Sequence, residues 1–127
     1  MPFALGAKSK ERLKGVHPDL VRVVERAIQL TEVDFSVIEG LRTTAGQQQL
    51  VKSGASKTMR SRHLTGHAVD LAAVIDGEIR WDWPLYAKIA KAVKQAAAEV
   101  KVPIEWGGDW RTFKDGPHWQ LPWKNYP

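Results

Sequence analysis

The sequence contains no cysteine. Disulfide bonds, thiolate zinc fingers and a cysteine nucleophile are therefore all excluded. It also lacks an apolar run of the roughly 20 residues that a transmembrane helix needs, and its longest apolar-leaning stretch, 68–75, is interrupted by Asp70. Residues 1–15 carry lysines but no apolar core of a signal peptide and no small-residue cleavage site. We therefore expect a protein made in the cytoplasm, without stable membrane insertion.

The length and composition are those of one folded domain. The 127 residues are enough to bury a hydrophobic core without covalent cross-links. Hydrophobic residues make up 43% and charged residues 26%, which is typical of a globular chain and argues against disorder. We predict a single domain over residues 1–127.

Positive charge is concentrated in the first half of the chain. The net charge is +5, and no acidic residue lies between Glu39 and Asp70. The basic residues in that window are Arg42, Lys52, Lys57, Arg60 and Arg62. A basic surface attracts anions without identifying them, so nucleic acid, a membrane surface and a carboxylate-rich polymer all remain open as partners.

Hydrophobic periodicity and turn residues predict a mixture of helices and strands. The predicted elements are a helix at 19–31 after Pro18, a strand at 35–41 delivering Arg42, a helix at 44–51 capped by Thr44, a basic loop at 55–62, a hairpin at 69–81 turning at Asp76-Gly77, a helix from Asp82 to before Pro103, and strands at 104–106 and 118–121. This order predicts an α+β fold with a small antiparallel sheet flanked by helices.

Two short segments concentrate the side chains of a hydrolytic metal site. His63 and Asp70 lie in the first segment, and Asp115 and His118 lie in the second. Zinc hydrolysis requires three nitrogen or oxygen ligands, an open position for water, and a nearby carboxylate that takes the water's proton. His63, Asp70 and His118 can supply the ligands, and Asp115 can supply the base.

His67 is a tempting alternative ligand, because it stands four residues after His63 as in a helical H-E-x-x-H site. However, Leu64 occupies the position of the general base, and Gly66 weakens any helix there by about 1 kcal/mol. We therefore predict that His67 belongs to the start of a strand and is not a ligand.

These residues lie within a recognisable pattern. The S-x-H-x-x-G-x-A-x-D segment that ends at Asp70 resembles the signature of zinc D-alanyl-D-alanine carboxypeptidases and L-alanyl-D-glutamate endopeptidases. E-W-G-G-D-W at 105–110 and D-x-P-H-W at 115–119 resemble the closing segment of that family, and E-G-L-R at 39–42 fits it as well. The resemblance covers most of residues 35–121 and implies a Hedgehog/D-Ala-D-Ala peptidase-like zinc fold.

The resemblance also implies a role for individual residues. The zinc ligands would be His63, Asp70 and His118, the catalytic acid/base Asp115, the oxyanion-stabilising residue Arg42 and a substrate contact Ser61. Trp119, next to the last ligand, is predicted to form a wall of the site. Many carboxypeptidases of the family carry glutamate at the base position, whereas the phage L-alanyl-D-glutamate endopeptidases resemble this chain in using aspartate.

The sequence is therefore expected to encode a monomeric zinc peptidase of the phage endolysin type, which cuts the L-alanyl-D-glutamate bond of stem peptides. It would reach the cell wall of the host bacterium after the membrane is breached. Three alternatives remain: a D-alanyl-D-alanine carboxypeptidase on the same site, a metal-bearing wall-binding module without turnover, and a cationic nucleic-acid binder. The last is suggested by six tryptophans between 81 and 123, but the basic residues precede them and do not interleave with them.

Overall fold

The computed structural model describes residues 3–54, 61–112 and 114–127. Its helices are α1 Ala7–Arg12, α2 Pro18–Leu30, α3 Thr44–Ser53 and α4 Trp83–Val100, with 3-10 helices at Arg62–Thr65 and Gly107–Asp109. Its strands are β1 Phe35–Glu39, β2 Ala68–Ile75, β3 Glu78–Arg80, β4 Glu105–Trp106 and β5 His118–Gln120. The predicted α+β class with a small sheet is confirmed.

The sheet is antiparallel throughout, and its strand order is β1-β2-β5-β4, with β3 paired to β2 alone. β2 is the central strand. In its register with β5, Asp70 lies directly opposite His118. Two of the three predicted ligands are therefore cross-strand neighbours whose separation is set by the ladder of backbone hydrogen bonds.

One face of the sheet packs against α2 and α4 to form the hydrophobic core. Side chains alternate between the two faces of a strand, so Val69, Leu71 and Ala73 of β2 lie in this core. Asp70, between two of them, lies on the opposite face of β2, which carries the candidate site. The same alternation places Trp119 of β5 in the core.

Local sequence signals explain the clearest elements. Asp76 and Gly77 both have positive φ values, 52° and 80°, as a two-residue hairpin turn of type I′ requires, and this confirms the predicted hairpin. α4 follows Asp82 as its N-cap and ends before Lys101, which has φ of 58°. None of the helices in the described ranges is long and apolar enough to cross a membrane.

The first half of the chain departs from the prediction in four places, one of which is the end of β1 at Glu39 and not at residue 41. The N-cap of α3 is Thr43 and not Thr44, because the Thr43 hydroxyl accepts a hydrogen bond from the backbone N–H of Gly46 at 3.0 Å. α1 was not predicted. Residues 55–60 of the predicted basic loop lie outside the described residues, and Arg62 at the loop's end is buried in a 3-10 helix.

Candidate active site

The three predicted ligands come from three different elements. His63 lies on the 3-10 helix Arg62–Thr65, whose first turn is capped by Ser61: the Ser61 hydroxyl accepts a hydrogen bond from the backbone N–H of His63 at 3.2 Å. That helix ends at Gly66, where φ is 76°. Asp70 and His118 come from β2 and β5. A short helix beside the sheet thus brings one imidazole to a cross-strand pair.

The ligand atoms converge on one point. Asp70 Oδ1 lies 3.3 Å from His63 Nε2 and 3.3 Å from His118 Nδ1. The two imidazole rings meet edge to face, with their centroids 5.1 Å apart. His63 is 2% and His118 6% exposed, so both imidazoles are shielded from water. The structure therefore brings together the three side chains that were predicted from the sequence to bind a metal.

The outer nitrogen of each imidazole is held by an oxygen acceptor. His63 Nδ1 lies 2.8 Å from the carbonyl oxygen of Gly40, which can only accept, so Nδ1 carries the proton. His118 Nε2 lies 2.7 Å from Gln120 Oε1. The amide nitrogen of Gln120 donates to Glu105 at 3.4 Å, and this contact orients the amide oxygen toward His118. In its neutral form, each imidazole would therefore direct a lone pair at Asp70, as a ligand of a cation must.

Two nitrogen lone pairs and a carboxylate that face one another form a site for a cation. Zinc–nitrogen and zinc–oxygen bonds of about 2.0–2.1 Å place neighbouring ligands of a tetrahedron about 3.3 Å apart. The two His–Asp separations match that spacing. Hydrogen bonds from the outer nitrogens to fixed acceptors are also the usual support of metal-binding histidines. Among the described residues, His63, Asp70 and His118 form the one group of this kind.

The charges in the site are strongly coupled in the metal-free protein. Burial alone raises the pKa of Asp70, but hydrogen bonds and positive charge from His118 and His63, which each imidazole supplies when both of its nitrogens are protonated, outweigh it and hold that pKa well below its usual range. Burial lowers the pKa of His118, and the hydrogen bond and charge of Asp70 overcome this effect and raise it. The pocket thus favours an anionic Asp70 together with positive charge beside it, as a bound cation would supply.

Asp115 lies at the edge of this group, in the turn that precedes β5. Its backbone N–H donates to the Gly107 carbonyl at 3.0 Å, and its own carbonyl accepts from the backbone N–H of His118 at 3.2 Å. Burial and the negative charge of Asp70 raise the pKa of the Asp115 carboxyl, against the opposing charges of His118, His63 and Arg42. This carboxyl holds a proton more readily than an exposed aspartate does.

Arg42 is fixed beside the site by several partners. Its guanidinium donates to the carboxylate of Glu39 and to the amide oxygen of Gln47, and it reaches the Ser61 hydroxyl at 3.5 Å. Its backbone N–H donates to the His63 carbonyl at 2.9 Å. Its charge lowers the pKa of Asp115 against the effect of burial, so Arg42 lies close enough to act on this carboxyl.

The two predicted substrate-contacting residues have other surroundings. The half-buried Ser61 caps the helix of His63 and contacts Arg42. Trp119 is 1% exposed and stacks on Trp106 within the core, on the face of β5 away from His118. Alternation along the strand turns it away from the ligand beside it, so Trp119 does not line the site and the expected wall is not formed by it.

The prediction from the sequence did not include three residues that lie beside the site. Trp110, in the 105–110 stretch, packs its ring 5.2 Å from that of His118. Gln120 follows His118 by two residues, the spacing at which side chains share a strand face, so it could have been found. Tyr86 gives no local signal: it is buried on α4, where burial and the charges of Asp115 and Asp70 raise its pKa to about 12.

His67 is not part of the ligand group, as predicted. It lies one residue before β2, and its Nδ1 lies 2.7 Å from the Thr65 hydroxyl. Its ring packs 5.4 Å from that of His17, whose Nδ1 accepts a hydrogen bond from the backbone N–H of Asp19 as a helix cap. The two other histidines are therefore structural.

Comparison with known proteins gives matches along nearly the whole chain. The sequence profile of a family described as phage L-alanyl-D-glutamate peptidase matches residues 1–120. The L-alanyl-D-glutamate peptidase of Escherichia phage T5 is 35% identical over 119 residues, which are 91% of this chain and 87% of that protein.

Solved structures also match most of the chain. The crystal structure of Serratia marcescens L-Ala D-Glu endopeptidase ChiX is 55% identical and superposes with a TM-score of 0.92, over 95% of this chain and 91% of the other. The vancomycin resistance D,D-dipeptidase VanXYg shares the fold, with 19% identity and a TM-score of 0.55 over 84% of this chain and 50% of its own.

Proposed function

The chain belongs to the phage L-alanyl-D-glutamate peptidase family, and from that premise we propose that it hydrolyses the L-alanyl-D-glutamate bond in the stem peptides of bacterial peptidoglycan. The observation that carries this proposal is the convergence of two imidazole lone pairs and one carboxylate beside a half-buried acid. The near-complete coverage of both the phage T5 enzyme and ChiX supports assigning the activity to one domain over residues 1–127.

The site fits zinc as the cofactor, which Nε2 of His63, a carboxylate oxygen of Asp70 and Nδ1 of His118 would hold. When bound in such a site, zinc polarises a carbonyl group and lowers the pKa of water to about 7. Three protein ligands leave a position open, as catalytic zinc sites require and structural ones do not. The acceptor at the outer nitrogen of each histidine supports this assignment, because it keeps the inner nitrogen free of a proton.

Asp115 is the general acid/base. Its carboxylate accepts a proton from the attacking water and then passes that proton to the amine of the departing D-glutamyl residue. Burial and the charge of Asp70 raise its pKa above that of an exposed aspartate, which moves it toward the working pH, where a group that acts first as a base and then as an acid is most effective. The backbone hydrogen bond between Asp115 and His118 keeps the base in a fixed position relative to a ligand.

Arg42 stabilises the negative charge that develops on the carbonyl oxygen of the scissile bond. Glu39 and Gln47 hold its guanidinium from two sides, so the cation is oriented before substrate arrives. Such preorganised charges are among the largest contributions to catalysis. Ser61 supports the orientation through its contact with Arg42, in addition to any contact with substrate.

The partner is the anionic stem peptide of the cell wall, and neither nucleic acid nor a second copy of the chain is needed for this chemistry. The stem peptide carries free carboxylates, which the excess basic charge of the chain attracts. Trp110, beside His118, offers an aromatic wall near the reacting groups.

Digestion of purified peptidoglycan with mass spectrometry of the fragments tests the proposal. We expect new amino termini on D-glutamate, no free D-alanine, and loss of both fragments and lysis after chelation, with recovery on adding zinc. Release of D-alanine would instead identify a carboxypeptidase on the same site. Undiminished cleavage by a metal-free preparation would contradict the zinc assignment, and the absence of any fragment would contradict the peptidase.

A further inference from the structure

Arg62 is a buried arginine that the proposed reaction does not use. It is 3% exposed and directly precedes His63 on the 3-10 helix. In the ranges 3–54, 61–112 and 114–127, no carboxylate lies within ion-pair distance of it. A guanidinium removed from water without compensation is costly, so its other contacts must account for its position.

Within the described ranges, the hydrogen bonds and the stacking contact of the Arg62 guanidinium come from one segment, residues 121–126, which follows β5. Nε and Nη2 of Arg62 donate to the Leu121 carbonyl at 3.3 and 3.1 Å, and Nη2 also donates to the Tyr126 carbonyl. The guanidinium carbon lies 4.0 Å from the centre of the Trp123 ring. The planar fork of arginine can make both carbonyl contacts and the stacking contact at once, which the point charge of lysine cannot.

The position of this contact matters because the three predicted ligands are held in different ways: His63 contacts Gly40 and Arg42, whereas the other two are held by the sheet. The β2–β5 ladder fixes Asp70 opposite His118, and it continues to a hydrogen bond from the Leu121 N–H to the His67 carbonyl at 2.9 Å. His63 lies outside that ladder, on a helix of four residues. Arg62, its neighbour, ties this helix to the residue that follows β5.

We propose that Arg62 is a positioning residue of the metal site, which holds the helix of His63 against the end of β5 and so sets the imidazole at its distance from Asp70 and His118. This inference rests on the proposed zinc site. Residues 121–126 supply the carbonyl oxygens and the aromatic ring that the Arg62 guanidinium contacts. The helix keeps its position in the metal-free protein because the contact contains no metal ligand.

Zinc affinity, measured by competition with a chromophoric chelator, tests the proposal in the full chain. Arg62→Lys keeps the charge and Arg62→Met keeps the length, but neither can make the forked contact. Arg26→Lys is the matched control, since Arg26 is an exposed arginine paired with Glu99 on the surface. We expect both Arg62 variants to bind zinc about 10- to 100-fold more weakly, the range found for residues that orient metal ligands, and the control to bind it like the wild type.

Two further measurements separate positioning from general stability. Urea unfolding of the metal-free proteins reports stability alone, and the visible spectrum of the cobalt-substituted proteins reports ligand geometry. We expect an altered cobalt spectrum in Arg62→Lys. Trp123→Leu, which keeps Arg62 and weakens only the stacking, is expected to lower zinc affinity less.

Wild-type zinc affinity and an unchanged cobalt spectrum in Arg62→Lys and Trp123→Leu, even with reduced urea resistance, would overturn the positioning role. A wild-type protein that binds no zinc would instead refute the zinc site itself, and this inference with it.

Discussion

At the scale of single residues, the chemistry depends on which nitrogen of each imidazole carries a proton. The Gly40 carbonyl and the Gln120 amide oxygen both accept from the outer nitrogens, so the inner nitrogens of His63 and His118 are left as ligands. The family signature identifies the histidines but not these acceptors. Gly40 is a backbone partner, and no sequence pattern reports which carbonyl faces a given ring.

Gln120 gives a direct test of this arrangement. Gln120→Leu keeps the size of the side chain and removes the acceptor at His118 Nε2, so the proton of His118 is no longer held away from the site. We expect zinc affinity to fall about 10- to 100-fold, measured by chelator competition. Gln95→Leu, at an exposed glutamine on α4, is the control. Equal affinity of the two variants would show that the acceptor does not control the ligand.

Removal of the Asp115 carboxyl should lower turnover but leave zinc binding intact, which distinguishes Asp115 from the predicted ligands. Asp115→Asn keeps the shape of the side chain but cannot accept a proton, so we expect turnover of peptidoglycan to fall about 10²- to 10⁴-fold while zinc still binds. His118→Ala, by comparison, is expected to lose both zinc and turnover. Fragment release and bound zinc are measured on the same samples. Near-normal turnover, or loss of zinc, in the Asp115 variant would overturn the assignment of the base.

Asp19 and Tyr126 couple stability to pH away from the active site. The Tyr126 hydroxyl donates to Asp19 at 2.7 Å, and this bond, followed by that from Arg22, lowers the pKa of Asp19. The same bond raises the pKa of Tyr126. A lowered acid pKa stabilises the fold above the unfolded value of about 3.9, and a raised tyrosine pKa does so below about 10.

Tyr126→Phe is therefore expected to be destabilising between about pH 5 and pH 9, with the effect shrinking as the pH falls through the lowered pKa of Asp19. Urea unfolding midpoints of the two proteins at pH 3 and pH 7 measure this difference. A difference as large at pH 3 as at pH 7 would contradict the role of the ionised Asp19.

At the scale of elements, the helices and strands that can be predicted are those in which a regular pattern of residues extends over a long segment. The hairpin was predictable because alternation and Asp76-Gly77 agree, and α2 and α4 because their apolar stripes repeat over several turns. α1 has six residues and no such stripe. Trp119 was misplaced because its neighbour in the sequence was treated as its neighbour in space, although adjacent strand residues face opposite ways.

The turn at Gly66 ends the helix that carries His63, and its conformation is demanding in two ways. Its φ is 76°, and a Cβ there would lie 2.3 Å from the Gly15 carbonyl oxygen. Gly54, at φ of 82°, has no atom of the described residues within 4 Å of the same position. A comparison of alanine substitutions at these two glycines therefore separates the cost of the left-handed backbone from the cost of a steric clash.

We expect Gly54→Ala to cost about 1–2 kcal/mol of unfolding free energy from the left-handed conformation alone. Gly66→Ala should cost about 1–3 kcal/mol more, because backbone must move to admit the methyl group. Urea unfolding of both variants measures the difference. Equal losses would mean that the close approach of Gly66 to Gly15 does not constrain this turn.

At the scale of the whole molecule, a small sheet with helices on one face leaves its other face free for chemistry. The helices α2 and α4 pack against the first face to form the core. Because side chains alternate along a strand, the predicted ligands on β2 and β5 lie on the opposite face. The α+β class could be predicted from sequence, and so could the three side chains, His63, Asp70 and His118, that the structure brings together. The approach of the His63 helix to the sheet could not, because it depends on contacts across distant parts of the chain, such as that of Arg62 with residues 121–126.

The central claim is that one zinc ion is shared by a helix and two strands. Anomalous diffraction at the zinc absorption edge, from crystals of the zinc-loaded protein, tests it most directly. The account predicts a single strong peak about 2.0–2.2 Å from His63 Nε2, from an Asp70 carboxylate oxygen and from His118 Nδ1. A peak bound elsewhere, or no peak between these three side chains, would contradict it.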